Sequence, residues 1–204
     1  MNFPSVIDPN DLASALVNSK VTEAAPTAGM AFLKMSFETG EWTLGQDEDV
    51  TGEEILVNVA SIKHGWILWS GGRPNKAMVT FNQDLPMPMD GIGADYPSEA
   101  RSFEGATFDD GNALQFDTSS YGGRKGVDKM LSEIKTNAAG GSEYLYPRVK
   151  LSSESYINAK RGGKPTFNPR FEVLEWCDRD GKSAGAVKEL TPTKPPTRQR
   201  RKTA

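Results

Sequence analysis

The sequence has a single histidine and a single cysteine in 204 residues. A Cys/His nucleophile–base pair or a histidine-rich metal centre is therefore hard to assemble. Cys177 has no partner for an internal disulfide, which fits a reducing compartment, and it reads as a small buried hydrophobe. His64, next to Gly65-Trp66, reads as a structural or turn residue. No apolar run approaches the roughly 20 residues that a membrane span requires. The N-terminus lacks a basic stretch followed by a hydrophobic core, so no secretory signal is expected. The acidic set Asp47, Glu48, Asp49, Glu53 and Glu54 lacks the ligand spacing and central glycine of a calcium loop, and reads as a solvated loop. Gly122-Gly123-Arg124-Lys125-Gly126 lacks the spacing of a nucleotide phosphate loop and the Ser/Thr after its lysine. These absences favour binding over catalysis, with no cofactor and no metal.

Turn formers are plentiful. Twenty glycines and thirteen prolines favour short strands over long helices. A hydrophobic fraction of 37% and a charged fraction of 25% suit one modest globular core. The net charge of −3 conceals a strong asymmetry. Residues 1–120 hold 6 Lys/Arg against 18 Asp/Glu, whereas residues 121–170 hold 10 against 4. Residues 182–204 add 7 against 1. Opposite blocks of this kind suggest a basic face or arm able to meet a polyanion.

Residues 1–29 read as an arm with a short helix through Leu12-Ala13-Ser14-Ala15-Leu16-Val17, entered at Asp8-Pro9 and broken at Pro26 and Gly29. The domain is expected over 30–181. Strands are predicted at Ala31–Phe37, Glu41–Leu44, Ile55–Ala60, Gly65–Trp69 and Ala77–Phe81. Residues 82–112 show no sustained periodicity and read as a long loop. A strand at Ala113–Thr118 precedes a helix over Gly126–Asn137, with Val127, Met130, Leu131 and Ile134 on one face. Two more strands, Glu143–Leu151 and Arg170–Trp176, are joined by a Lys/Gly-rich loop. From residue 182 the composition predicts a flexible, basic, disordered tail. The order is mostly β with one main α-helix. It fits a small barrel like the oligonucleotide-binding fold, and small α+β sheets also fit.

Residues 121–170 interleave aromatic and basic side chains: Tyr121, Arg124, Lys125, Lys129, Lys135, Tyr144, Tyr146, Arg148, Lys150, Tyr156, Lys160, Arg161, Lys164 and Phe167. Single-stranded nucleic acid needs both, cations for phosphates and aromatic faces for bases. On the strand through Tyr144–Leu151 the even positions share a face. Tyr144, Tyr146, Arg148 and Lys150 would form a binding strip, leaving Leu145, Val149 and Leu151 for the core. Trp66 and Trp69 lie three apart and face opposite sides of a regular strand, so one is available for binding. Trp42 and Trp176 read as core.

The runs Phe32-Leu33-Lys34 with Gly40-Glu41-Trp42, His64-Gly65-Trp66-Ile67 with Trp69, and Pro169-Arg170-Phe171-Glu172-Val173 with Trp176 resemble a group of small bacteriophage and prophage proteins. The resemblance spans roughly residues 30–180 and carries no catalytic motif. It implies single-stranded DNA binding in phage replication or recombination, in the cytoplasm of a bacterial host, with phage replication proteins as candidate partners. Many single-strand binders end in an acidic tail that recruits partners; this chain ends in a basic one, so recruitment by the tail is not implied. A second reading is a virion or assembly protein that binds partner proteins or packaged DNA. Homo-oligomerisation is left open, and no membrane partner is expected.

Overall fold

The computed structural model describes residues 29–70, 73–91 and 95–186. The expected N-terminal helix, and the tail beyond residue 186, lie outside the described residues. Among the described residues, ten strands and one α-helix follow in order: β1 (Ala31–Met35), β2 (Trp42–Leu44), β3 (Glu48–Asp49), β4 (Glu54–Ser70), β5 (Arg73–Thr80), β6 (Ser98–Thr107), β7 (Ala113–Thr118), α1 (Tyr121–Ala139), β8 (Tyr146–Asn158), β9 (Lys164–Cys177) and β10 (Ser183–Ala186). They form one sheet in the order β10-β9-β8-β4-β6-β7-β1-β2-β3, with β5 paired to β4 outside that path. All pairings are antiparallel except β1 with β7. The sheet is a curled, open half-barrel, mostly β as the sequence suggests.

Curling brings distant strands together around four rings. Trp42 of β2, Phe103 of β6, Phe116 of β7 and Phe171 of β9 lie with centroids 5.3–5.7 Å apart, largely edge to face. Such geometry suits the aromatic quadrupole, and each ring removes a large apolar surface from water. The two flanks of the sheet also touch by hydrogen bonds. Trp42 Nε1 donates to Ser152 O at 3.0 Å, and Phe167 N donates to Phe37 O at 3.0 Å. The turn between β1 and β2 fits closely there. Gly40 has φ of 79°, and a Cβ on it would lie 2.6 Å from the Phe167 ring. Only glycine suits that position.

Helix α1 starts at Ser120, whose hydroxyl accepts from Gly123 N at 3.0 Å, and buries Val127, Met130 and Ile134. This face matches the periodicity, although the helix begins five residues earlier than the apolar pattern does. Gly122 in the extra turn and Gly126 just after it let α1 approach β9. A Cβ on Gly126 would meet Pro169 O at 2.7 Å, and one on Gly122 would collide with the Asn168 side chain. The glycine-rich run is thus a packing device.

Several expected boundaries change. Ile55–Ala60 and Gly65–Trp69 are parts of one 17-residue strand, β4. Its pairing with β6 shifts register between Asn58 and Lys63. Ser61 bridges the irregularity, donating to Asn58 O at 2.6 Å and accepting from Glu104 N at 2.8 Å. The long loop over 82–112 is interrupted by ten-residue β6, and the acidic loop pairs in part with β2 as β3. The loop between the last two expected strands is mostly hairpin, because β8 and β9 pair from Tyr146↔Cys177 to Asn158↔Lys164. Residues 183–186 form β10 on β9, so pairing passes the expected end of the domain.

Candidate nucleic-acid interface

The expected strip on β8 has the predicted faces but not the predicted freedom. Val149 and Leu151 are fully buried, Leu145 is half-buried ahead of the strand, and Lys150 is exposed. Arg148, however, is held inside the fold. Its guanidinium pairs with Glu54 on β4 and Glu175 on β9, and its carbon lies 3.7 Å from the Phe108 ring centroid. A charge so engaged has less freedom to meet a phosphate than the expected strip requires. Tyr146 is half-buried, and burial pushes its phenol above the usual range. Tyr144 precedes the strand, its carbonyl accepting from Asn137 Nδ2 at 2.6 Å. Lys150 lies beside the turn at Gly52. Next to that turn, burial and the neighbouring Glu48, Asp110, Asp109 and Asp49 raise the Glu53 carboxyl. The electrostatics at this end repel phosphate.

Other expected binding residues are also occupied structurally. Arg124 pairs with Glu99, and its Nε is buried without a hydrogen-bond partner among the described residues. Arg161 pairs with Glu38 at 2.7 Å, and Phe167 packs against the core. Trp66 is half-buried and donates from Nε1 to Pro86 O at 2.7 Å. Trp69 is 55% exposed. It lines a small cavity of about 90 Å³ with Ile67, Met78 and Arg101. Lys160 lies in the 3₁₀ turn between β8 and β9, and exposed Lys164 opens β9. His64 Nε2 donates to Gln83 O at 2.9 Å. Cys177 is fully buried and packs as a hydrophobe, and burial pushes its thiol up to about 11. Among the described residues, no group of His, Cys, Asp or Glu is arranged to hold a metal ion.

Four expected residues, Tyr121, Lys125, Lys129 and Tyr156, do come together. Tyr121 and Lys125 on α1 face Tyr156 on β8 across a cleft of about 620 Å³. Lys129 joins them from the helix and Arg170 from β9. Tyr121 is 67% exposed and Tyr156 42% exposed, an open placement for groups with so much apolar surface. Lys125 Nζ sits 4.7 Å from the Tyr121 ring centroid. Lys125, Lys129 and Arg170 have no carboxylate partner among the described residues, in contrast to Arg101, Arg124, Arg148 and Arg161.

The hairpin explains why these side chains share a wall. On β8 and β9 alternate residues face one way, and the register sets Glu154 opposite Asn168 and Ser152 opposite Arg170. Glu154, Tyr156, Asn168 and Arg170 therefore share one face of the hairpin, while Leu151 turns to the core and Phe171, itself buried, also borders the cleft. Asn168 was missed in the sequence because residues 152–169 read as a loop, and Arg170, first residue of the expected last strand, was not singled out because the strand opposite it was expected to end at Leu151. Extending the strands to the Gly162-Gly163 turn would have revealed their alternation. No family model, no curated protein and no solved structure matches this chain.

Proposed function

We propose that this chain is a non-catalytic single-stranded nucleic-acid-binding protein that holds the strand in the cleft between α1 and the β8–β9 hairpin. The observation that carries the reading is the convergence of two exposed tyrosines with three cations that lack carboxylate partners among the described residues. Cations follow the phosphates, and tyrosine faces accept bases by stacking. A duplex offers its bases only at their groove edges, whereas a single strand presents base faces to stack. The curled half-barrel, with its helix inserted before the final hairpin, is compatible with an oligonucleotide-binding barrel. The resemblance to small phage proteins suggests replication or recombination as the setting, with single-stranded DNA as ligand.

The test is fluorescence anisotropy with a labelled single-stranded oligonucleotide at about 50 mM salt, where electrostatic binding is strong. Tyr121→Ala and Tyr156→Ala are each expected to cost about 1–3 kcal/mol of affinity without unfolding the protein. Undetectable binding by the wild-type chain, or normal binding by both variants, rejects the cleft as the site.

A further inference from the structure

The cleft contains a carboxylate that a pure phosphate track would not need. Glu154 lies on the hairpin wall, directly across from Asn168 and two residues before Tyr156. The residue is exposed, and its carboxylate has no hydrogen bond or ion pair among the described residues. Asn168 fills the space that a Cβ on Gly122 would take, so that wall is fixed against α1. The cations Lys125 and Lys129 line the opposite, helical wall. Arg170 shares the hairpin wall with Glu154, so a phosphate is drawn towards Lys125, Lys129 and Arg170 and repelled by Glu154, which leaves the carboxylate to face the edge of a base.

We infer that the cleft discriminates between bases, with Glu154 selecting one that presents an exocyclic amino group, cytosine over uracil or thymine. This rests on the strand occupying the cleft as proposed above. A carboxylate only accepts hydrogen bonds. Cytosine offers an amino donor at N4, and a carboxylate accepts from it; the uracil and thymine ring presents the O4 acceptor in the same place. At the C4 substituent, one base donates to the carboxylate oxygen and the other sets a lone pair against it. Tyr156, on the same face, supplies the stacking surface that holds either ring in register.

The experiment compares oligo(dC) with oligo(dU) of equal length, at slightly alkaline pH where cytosine is unprotonated, on wild-type protein and on Glu154→Gln. The two probes are both flexible pyrimidines and differ at the base edge. Wild-type protein is expected to bind oligo(dC) about tenfold more tightly, the effect of one good base-edge contact. Glu154→Gln should remove most of that difference, chiefly by tighter binding of oligo(dU), because the amide can donate to O4. Equal wild-type affinity for the two probes overturns the inference while leaving the cleft as binding site. A preference that survives in Glu154→Gln also overturns it, placing the discriminating group elsewhere. Binding of neither probe at low salt instead defeats the nucleic-acid reading itself.

Discussion

Arg148 lies between Glu54 and Glu175 with its guanidinium over Phe108, so three elements of the sheet meet on one side chain. Removing it leaves two carboxylates side by side and uncovers the ring. Arg148→Ala is therefore expected to lower stability by about 1–3 kcal/mol, as for a charged hydrogen-bonding group with two partners. Oligonucleotide affinity at a temperature where the variant is folded should stay near wild type. Thermal denaturation together with anisotropy checks this; a stable variant with weakened binding would return Arg148 to the role of phosphate contact. The alternation of Tyr146, Arg148 and Lys150 against Val149 and Leu151 was legible in the sequence, because side-chain period in a strand is fixed by backbone geometry. That Arg148 would be neutralised was not legible, because Glu54 lies 94 residues away and reaches it only through the pairing of β4 with β8.

At the scale of elements, helix α1 and the hairpin set the width of the cleft. Gly126 sits where helix and β9 backbone come closest, and its substitution separates two opposing effects. Alanine is the better helix former by about 1 kcal/mol, so local propensity alone expects Gly126→Ala to stabilise. Its Cβ would lie 2.7 Å from Pro169 O, a backbone atom that cannot swing aside. The contact dominates, and the variant is expected to lose about 1–3 kcal/mol, as overpacked sites do. A rise in melting temperature would show that the helix moves away freely. The apolar face of α1 was readable from its spacing, whereas its first turn was not, since glycine carries no hydrophobic signal. Strand β6 was hidden for a related reason. Its buried positions include Ala100, Ser102, Gly105 and Thr107, small or polar residues enclosed by pairing with β4 on one side and β7 on the other. The final strand was masked by a basic composition, yet Ser183 donates to Glu175 at 2.5 Å and, ahead of Arg148, holds that carboxyl below its usual range.

Across the whole molecule, charge is sorted by position. Glu48, Asp49, Glu53, Asp109 and Asp110 gather at one end, while the cleft collects Lys125, Lys129 and Arg170. The block asymmetry of the sequence anticipated a basic face without locating it, because the cleft joins residues from both sides of a hairpin and from the preceding helix. The most direct measurement of the central claim is the salt dependence of single-stranded DNA binding by wild-type protein and by Lys125→Ala/Lys129→Ala/Arg170→Ala. Each phosphate contact on a single strand contributes about 0.7 to the slope of log affinity against log salt. The triple variant, confirmed folded by circular dichroism, is expected to bind more weakly with a slope shallower by about 2. A folded triple variant with unchanged affinity and slope would contradict the account.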